Sequence, residues 1–408
     1  MFRGRWAVIG LLGAMSGGCE AGDPEVRFAV RDSLGVQIVE FDADRIEHSW
    51  YVAPEPELVV GAESDDPTGL ALHAVVDAIE VGGRTLFIAE GSTQQVISVD
   101  LSTWTVSRWG GAGDGPDEFR GVSRLFDLGD GSVGVYDRAR LRVLQNDGEG
   151  STREILRAEA TGGSGEAPLV EILGGGTEER TVFFAYMSGL PPEPTEGSYR
   201  GTGPLVRFAR GEAADTLGSV RGLTTFWHPD VGGGAVLFGA TTVVAGGNEG
   251  LWVGDTDEPE LVLWGTTGGV VRIVRWSSTS SRELTSERTR AFWTELEASV
   301  PVPERPGIAM LREALPVAER VPVFGSVHAG PGGELWIGEP ISPAVTLLER
   351  APEPQHWRVV DFSSGRVVEV TTPHGVKVLR VGDEHILGLH RDELGTETIR
   401  RYRLRKER

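Results

Sequence analysis

Four ionisable residues near the starts of predicted β-strands carry side chains that could bind a ligand: His73, Asp77, Arg124 and His328. If the fold brings their imidazole, carboxylate and guanidinium groups together, they could bind a small molecule or a metal ion. The plainer interpretation, which the sequence alone favours, is that these residues are polar because they face water. Whether a site exists therefore depends on the elements that position them.

Other motifs that carry catalysis are missing or incomplete. The glycine-rich run Gly110–Gly115 has neither the Lys-Ser/Thr of a phosphate-binding loop nor the G-x-G-x-x-G spacing of a dinucleotide site, so we interpret it as a tight turn. The sequence contains no H-E-x-x-H pair among its eight histidines and no G-x-S-x-G elbow. It predicts no cofactor and no metal site, and it favours a binding protein over an enzyme.

Acidic residues recur at the ends of predicted strands: Glu90, Asp137, Asp255 and Glu339. A carboxylate in this position can accept hydrogen bonds from backbone N–H groups of the turn that follows. Paired carboxylates that act together in catalysis must lie within about 10 Å of each other, and acids on separate structural units are too dispersed for this. We therefore predict a structural role for all four.

The sequence repeats with an offset of 47 residues, which relates Leu86–Asp100 to Val133–Asp147 and also Asp77 to Arg124. Each unit contains strands of alternating apolar residues separated by glycine turns. Four-stranded units of about 40 to 50 residues are typical of β-propeller blades, which stack radially because one sheet cannot bury both of its faces. The innermost strands of such a ring line a central channel. We therefore expect the four candidate residues to lie at or near that channel.

The segment Trp109–Phe119 resembles the connection between blades of NHL-type six-bladed β-propellers, in particular a group of bacterial lipoproteins and secreted proteins of unknown function. Those proteins carry a G-x-G-x-GPGEF-like run, and Asp117 replaces its second glycine here. Arg31–Glu40 and Val381–Leu404 are similar to other parts of the same group. The resemblance implies an all-β, six-bladed propeller over residues 26–408, and it implies no particular activity.

Two segments depart from the blade pattern. The last unit ends at Leu404 without an outermost strand, while the apolar segment Gly35–Phe41 has no blade of its own. We predict that this N-terminal strand completes the last blade and closes the ring. Residues 285–318 instead have apolar residues at helical spacing, with Thr285 or Ser286 as the N-cap and prolines between two helices. We predict a small helical insertion there, which either packs as a connection or covers a site.

The N-terminal residues have the pattern of a secretory signal. Basic residues precede the apolar stretch Trp6–Met15, which is too short to span a bilayer, and small residues lead to Cys19, the only cysteine. This order resembles a bacterial lipobox, in which the cysteine is lipidated. Ordinary signal cleavage is the alternative, because a serine stands where the lipobox usually has leucine. We predict a lipoprotein signal peptide over residues 1–18, lipidation of Cys19 and a tether over residues 19–25.

Composition limits the partners of the protein. The 408 residues carry a formal net charge of −21, so the chain lacks the basic surface that nucleic-acid binding requires. Only Lys377 and Lys406 are lysines, and the other 37 basic residues are arginines. We predict an exported monomer, anchored to the cell envelope on its periplasmic or outer side, that binds an unknown protein or small-molecule ligand. The alternative is a propeller-type lyase or hydrolase with a metal-assisted site in the channel.

Overall fold

A computed structural model describes residues 28–46, 48–61, 66–146, 152–157, 169–172, 181–185, 196–209, 213–343, 352–392 and 395–406. Almost every element in these ranges is a β-strand. The strands form six sheets that follow one another along the chain, and a small seventh sheet lies between the third and the fourth. The predicted signal peptide, Cys19 and the tether lie outside the described residues.

The N-terminal segment and the first two blades contain twelve strands in the described residues. The N-terminal strands are β1 Phe28–Ser33, β2 Val36–Asp42, β3 His48–Ser49 and β4 Tyr51–Gly61. Blade 1 consists of β5 Val75–Val81, β6 Thr85–Glu90, β7 Gln95–Asp100 and β8 Val106–Gly110. Blade 2 consists of β9 Val122–Asp127, β10 Val133–Asp137, β11 Arg142–Asn146 and β12 Thr152–Arg157. In both blades the strands pair antiparallel in chain order.

Blades 3 and 4 follow the same plan, with the small sheet inserted between them. The strands in chain order are β13 Leu169–Ile172, β14 Thr181–Ala185, β15 Gly197–Tyr199, β16 Thr202–Ala209, β17 Asp215–Arg221, β18 Thr225–His228 and β19 Gly232–Ala235. Blade 3 contains β13, β14, β16 and β17, and the small sheet contains β15, β18 and β19. Blade 4 contains β20 Thr242–Gly247, β21 Gly250–Asp255, β22 Glu260–Gly265 and β23 Val270–Ser277.

Helices separate blade 4 from the last two blades. They are α1 Ser286–Ser299, a short 3-10 helix at Val302–Glu304, and α2 Arg305–Ala314. Blade 5 contains β24 Ser326–Ala329, β25 Leu335–Gly338, β26 His356–Asp361 and β27 Arg366–Thr371. The C-terminal part of the chain supplies three strands of blade 6, which are β28 Val376–Val381, β29 His385–Arg391 and β30 Glu397–Arg405.

The blades form a closed ring. Contacts between first strands join blade 1 to blade 2, and they also run from blade 3 through blades 4, 5 and 6 back to blade 1, where β28 meets β5. Each of the six interfaces between blades has its own cluster of buried apolar side chains. Trp336 and Trp357, for example, are buried between blades 5 and 6. A single blade cannot bury both of its apolar faces. Radial stacking buries both faces of every sheet between neighbouring blades. The predicted all-β propeller is confirmed.

An N-terminal strand closes the ring, but it is not the strand that we predicted. β4 is the outermost strand of blade 6, where it pairs antiparallel with β30. The predicted strand, Gly35–Phe41, lies in β2, which pairs in parallel with β23 on the outside of blade 4. The assignment of Gly35–Phe41 to the last blade was therefore wrong. The physical reason is proximity along the chain, because β4 leads directly into blade 1, the neighbour of blade 6, whereas β2 lies further upstream.

The helical insertion agrees with the prediction for residues 285–318. The Thr285 hydroxyl caps α1 by accepting a hydrogen bond from the Arg288 N–H at 3.2 Å. Phe292 and Trp293 are buried against Leu237 in a cluster of their own. The insertion and the small sheet both lie at the end of the ring where the chain passes from one blade to the next, which we call the upper end.

Candidate functional site

The inner strands of four blades bring charged and ionisable side chains together near the ring axis. Asp77 lies on β5 of blade 1, Arg124 on β9 of blade 2 and His328 on β24 of blade 5. Two residues that the sequence analysis did not select, Lys377 and Arg380, lie on β28 of blade 6. We call these five residues the channel cluster.

The carboxylate of Asp77 joins three blades. Its Oδ2 accepts a hydrogen bond from the Leu125 N–H of blade 2 at 2.9 Å and another from Arg380 Nη2 of blade 6 at 2.7 Å. Its Oδ1 accepts a hydrogen bond from the Ala78 N–H at 2.9 Å. Arg380 also donates to the Leu125 carbonyl oxygen at 2.8 Å. This Asp77 clasp therefore holds the inner strands of blades 6, 1 and 2 in a defined arrangement.

β-Bulges accompany the clasp on both sides of the interface between blades 6 and 1. The register of β5 shifts between Val75 and Asp77, and that of β28 shifts between Val378 and Arg380. A bulge adds one residue to a strand and redirects the side chains next to it. In both strands the charged residue that follows the bulge is the one that binds across the interface.

The imidazole of His328 lies among the cations of the channel cluster and against Trp357, with 5.3 Å between the ring centroids. Desolvation, together with the positive charges of Arg124, Arg380 and Lys377, lowers the pKa of His328 to about 3. His328 is therefore neutral at physiological pH, and its ring offers one N–H donor and one acceptor nitrogen.

The channel cluster is cationic although the protein as a whole is acidic. Arg124, Lys377 and Arg380 carry positive charge, and Asp77 is the one carboxylate of the cluster. In the part of the chain that the structure describes, no group of three His, Cys, Asp or Glu side chains could hold a metal ion. Because cations repel a metal ion and attract an anion, the electrostatics of the channel suit a negatively charged ligand.

His73, the fourth predicted site residue, lies in the segment that leads into blade 1. Its side chain is exposed, and its backbone N–H donates to Glu90 Oε1 at 3.1 Å. One repeat later, the Arg120 N–H donates to Asp137 Oδ2 at 3.2 Å. The offset that relates the two sequences thus also relates the two hydrogen bonds. His73 therefore belongs to the upper rim of blade 1, where it orders a connection.

The repeated acids use two kinds of structural partner. Asp255 Oδ1 accepts a hydrogen bond from the Asp257 N–H at 3.0 Å, in the turn that follows the strand, as predicted. Glu90 and Asp137 instead accept their backbone hydrogen bonds from the segment that enters the same blade, 17 residues earlier. Glu397 was not selected from the sequence, yet its Oε2 accepts a hydrogen bond from the first N–H of β5 at 2.7 Å. These carboxylates fix the upper ends of the blades.

A cleft lies at the opposite end of the ring from the helical insertion. It has a volume of about 900 Å³ and lies between blades 5 and 6. Lys406 pairs there with Glu334 and lies 5.1 Å from the centroid of the Trp50 ring. Acidic and basic side chains both line the cleft: Asp361, Asp383, Glu384, Arg366, Arg403 and Arg405. Because its charges alternate in sign, the cleft offers no simple electrostatic preference.

Among the comparisons with known proteins, a solved structure with a TM-score of 0.50 supports the fold. No protein-family model matches this chain, and no curated protein matches it. A member of the DUF4221 family from Bacteroides vulgatus ATCC 8482 is 11% identical, with a TM-score of 0.50, over 88% of this chain and 99% of its own. A protein from Bacteroides fragilis NCTC 9343 that is provisionally described as exported is 11% identical, with a TM-score of 0.43, over 91% and 100%. Virginiamycin B lyase from Staphylococcus aureus is 12% identical, with a TM-score of 0.41, over 86% and 99%.

Replacing His328 with glutamine should remove an acid-sensitive contribution to stability. The folded protein holds the pKa of His328 at about 3, whereas an unfolded chain has a histidine pKa of about 6.5. As the pH falls, the unfolded state therefore takes up a proton first, so this contribution is complete above about pH 6.5 and decreases towards pH 3. Between pH 7 and pH 4 we expect the free energy of unfolding to fall by about 2 to 3 kcal/mol more in the wild type than in His328→Gln.

Urea unfolding at a series of pH values measures this difference. The control is His374→Gln, which removes an exposed histidine from the segment that leads into blade 6 and should follow the wild-type curve. Parallel curves for the wild type and His328→Gln would show that the imidazole does not lie in the desolvated, cationic surroundings described above.

Proposed function

We propose that this protein is an exported β-propeller of the NHL type, anchored to the cell envelope by a lipid on Cys19, and that it binds a ligand in its central channel. The observation that carries the proposal is the convergence of Asp77, Arg124, His328, Lys377 and Arg380 near the axis. In the described residues, no helix is long and apolar enough to cross a membrane.

The architecture supports binding at the upper end of the channel. The stacked blades form a rigid scaffold, and the helical insertion and the small sheet lie at the upper end, beside blades 3, 4 and 5. Binding sites commonly combine such a scaffold with loops that differ from one protein to another. A few polar groups that converge in a concave site then orient the ligand.

The metal-assisted lyase or hydrolase considered above has little support from the described residues. They contain no donor set of three His, Cys, Asp or Glu side chains. His328, the only histidine of the channel cluster, lies beside three cations rather than beside other donors. We therefore favour the binding module.

A ligand panel tests this proposal with the purified protein. We expect at least one class among small carboxylic acids, phosphates, amines, sugars and dipeptides to raise the melting temperature, because a ligand that binds only the folded state stabilises it. The increase should disappear in Arg124→Gln and persist in Arg84→Gln, which removes a positive charge from an exposed position on blade 1. A panel without effect, or an effect that is unchanged in Arg124→Gln, would contradict binding in the channel.

Cys19→Ala should release the protein from the membrane. Lipid chains on a cysteine hold a protein at a bilayer through their buried methylene groups, and alanine cannot be lipidated. We expect the wild type in the membrane fraction with the added mass of a lipid, and Cys19→Ala in the soluble fraction. Ser16→Leu is the matched control, since it restores the usual lipobox residue and should stay membrane-bound. A Cys19→Ala protein that remains in the membrane fraction would refute the lipid anchor.

A further inference from the structure

We propose that the channel binds a small anion of the carboxylate or phosphate class, held by the Lys377 ammonium and by an N–H of neutral His328. Arg124 and Arg380 add positive potential around these two donors. This inference rests on the proposed function, because it names the chemical class of the ligand that the same channel takes.

The carboxylate of the channel cluster, that of Asp77, does not neutralise the positive charge of Lys377. Asp77 Oδ2 already accepts hydrogen bonds from the Leu125 N–H and from Arg380, and Oδ1 accepts one from the Ala78 N–H. Among the described residues, the Lys377 ammonium group forms no hydrogen bond and no ion pair. Its side chain is exposed, so a ligand that enters the channel can reach it. An ammonium group in this position is therefore available to an anionic oxygen.

A lysine at position 377 is better suited to bind a ligand than to hold a fixed structural partner. All basic residues except Lys377 and Lys406 are arginines. A planar guanidinium suits a fixed partner, as Arg380 demonstrates by binding Asp77 and the Leu125 carbonyl oxygen together. Lysine instead presents a compact charge on a flexible stem, which can follow a ligand that arrives and leaves.

Neutral His328 complements this charge. Near Arg124, Arg380 and Lys377, a further positive charge is unfavourable, so the ring remains uncharged and able to donate one N–H. An anion placed beside the ring would offset those cations and raise the pKa of His328. Anion binding should therefore be accompanied by proton uptake in acidic solution.

Long-range electrostatics do not favour an anion, and this makes the proposal specific. The net charge of −21 repels anions from the protein as a whole. Binding must then come from contacts inside the channel, so the removal of one cation there should have a large effect. The removal of a cation elsewhere on the protein should have little effect.

Calorimetric titration of the full chain at constant ionic strength tests the inference, with inorganic phosphate and succinate as probes and glucose and putrescine as neutral and cationic controls. We expect phosphate, succinate or both to bind, and Lys377→Gln to weaken this binding about 10-fold or more, as for the loss of a charged hydrogen bond. Lys377→Arg keeps the charge and should retain most of the affinity. Binding by phosphate alone would identify a phosphate site, and binding by succinate alone a carboxylate site.

The matched control is Lys406→Gln, which removes the other lysine from the cleft between blades 5 and 6. It should bind the anions as the wild type does. Equal binding by the wild type and Lys377→Gln, or a loss of binding in Lys406→Gln only, would overturn the inference. Binding of glucose or putrescine that depends on Arg124 would leave the proposed function intact and refute the anion class, whereas a panel without any binding would refute both. Because Lys377 is exposed, its substitution leaves the core unchanged.

Discussion

A chain that begins at residue 43 should fold, whereas a chain that begins at residue 66 should fail to form the native ring. The longer chain retains β4, which supplies the outermost strand of blade 6 and pairs with β30 over nearly its whole length. The shorter chain leaves that edge without a partner. It also removes Val52, Leu58 and Val60 from the clusters on the two sides of blade 6. Because a propeller buries its sheets only when the ring is closed, the loss of this strand affects every blade.

The chain that begins at residue 43 loses only β1 and β2. Blade 4 then keeps the four strands β20 to β23, but Phe41 no longer stacks on Trp276, at 6.0 Å between ring centroids, and Val39 leaves the core between blades 4 and 5. The lost burial should lower the free energy of unfolding by about 3 to 5 kcal/mol without preventing folding. Circular dichroism and urea unfolding separate the two chains. Cooperative unfolding by the chain that starts at residue 66 would contradict closure by β4.

A pair of substitutions tests the same closure in the full chain. Val60 on β4 is 0% exposed, whereas Val30 on β1 is 52% exposed. Val60→Asp buries an unpaired charge and should lower the free energy of unfolding by about 3 kcal/mol or more. Val30→Asp should change it by less than about 0.5 kcal/mol. Similar effects of the two substitutions would show that β4 is not part of the closed core.

Asp77→Asn should be the most destabilising change of a single polar side chain in the channel, at about 3 to 5 kcal/mol. Asparagine has nearly the same shape, but it removes the charge that balances Arg380 and cannot accept every hydrogen bond that the two carboxylate oxygens accept. The Asp77 side chain is 3% exposed and that of Arg380 is 24% exposed. Removal of one partner therefore leaves a poorly solvated cation between blades 6 and 1, and the Leu125 N–H loses a charged acceptor.

Urea unfolding measures this effect, and an exposed ion pair supplies the control. Glu260 pairs with Arg275 at 2.5 Å on the outer part of blade 4, and both side chains are exposed to solvent. Glu260→Gln should therefore change the free energy of unfolding by at most about 1 kcal/mol. A double-mutant cycle with Arg380→Met isolates the coupling between Asp77 and Arg380. Equal effects of Asp77→Asn and Glu260→Gln would refute the clasp.

The offset of 47 residues in the sequence anticipates much of the detailed structure. It aligns blade 1 with blade 2, and it relates the hydrogen bond from His73 to Glu90 to the one from Arg120 to Asp137. The helical insertion could also be predicted from the sequence, because the cap at Thr285 and the apolar spacing act over a few residues. Local features of this kind depend on neighbours in the chain, so the sequence exposes them directly.

The sequence predicted three of the five residues of the channel cluster. Asp77, Arg124 and His328 could be selected because each lies near the start of a predicted inner strand. Arg380 lies four residues beyond the start of β28 and acts through a bulge that no periodicity predicts. For Lys377 the sequence offered one indication, which is that lysine is rare in this chain: it has two lysines and 37 arginines. His73 was selected for the same reason, but it lies just before β5, in the connection at the upper rim of blade 1.

The sequence by itself determined that the chain builds repeated four-stranded blades with one helical insertion, because strand alternation, glycine turns and helix caps are local properties. Tertiary structure alone decided that β4 closes the ring while β2 covers blade 4, since both segments are apolar strands and only their partners distinguish them. It also decided that Asp77 pairs with Arg380, so that no carboxylate of the channel cluster pairs with Lys377. These outcomes depend on residues about 300 positions apart in the sequence, whose contact exists only once the ring is closed.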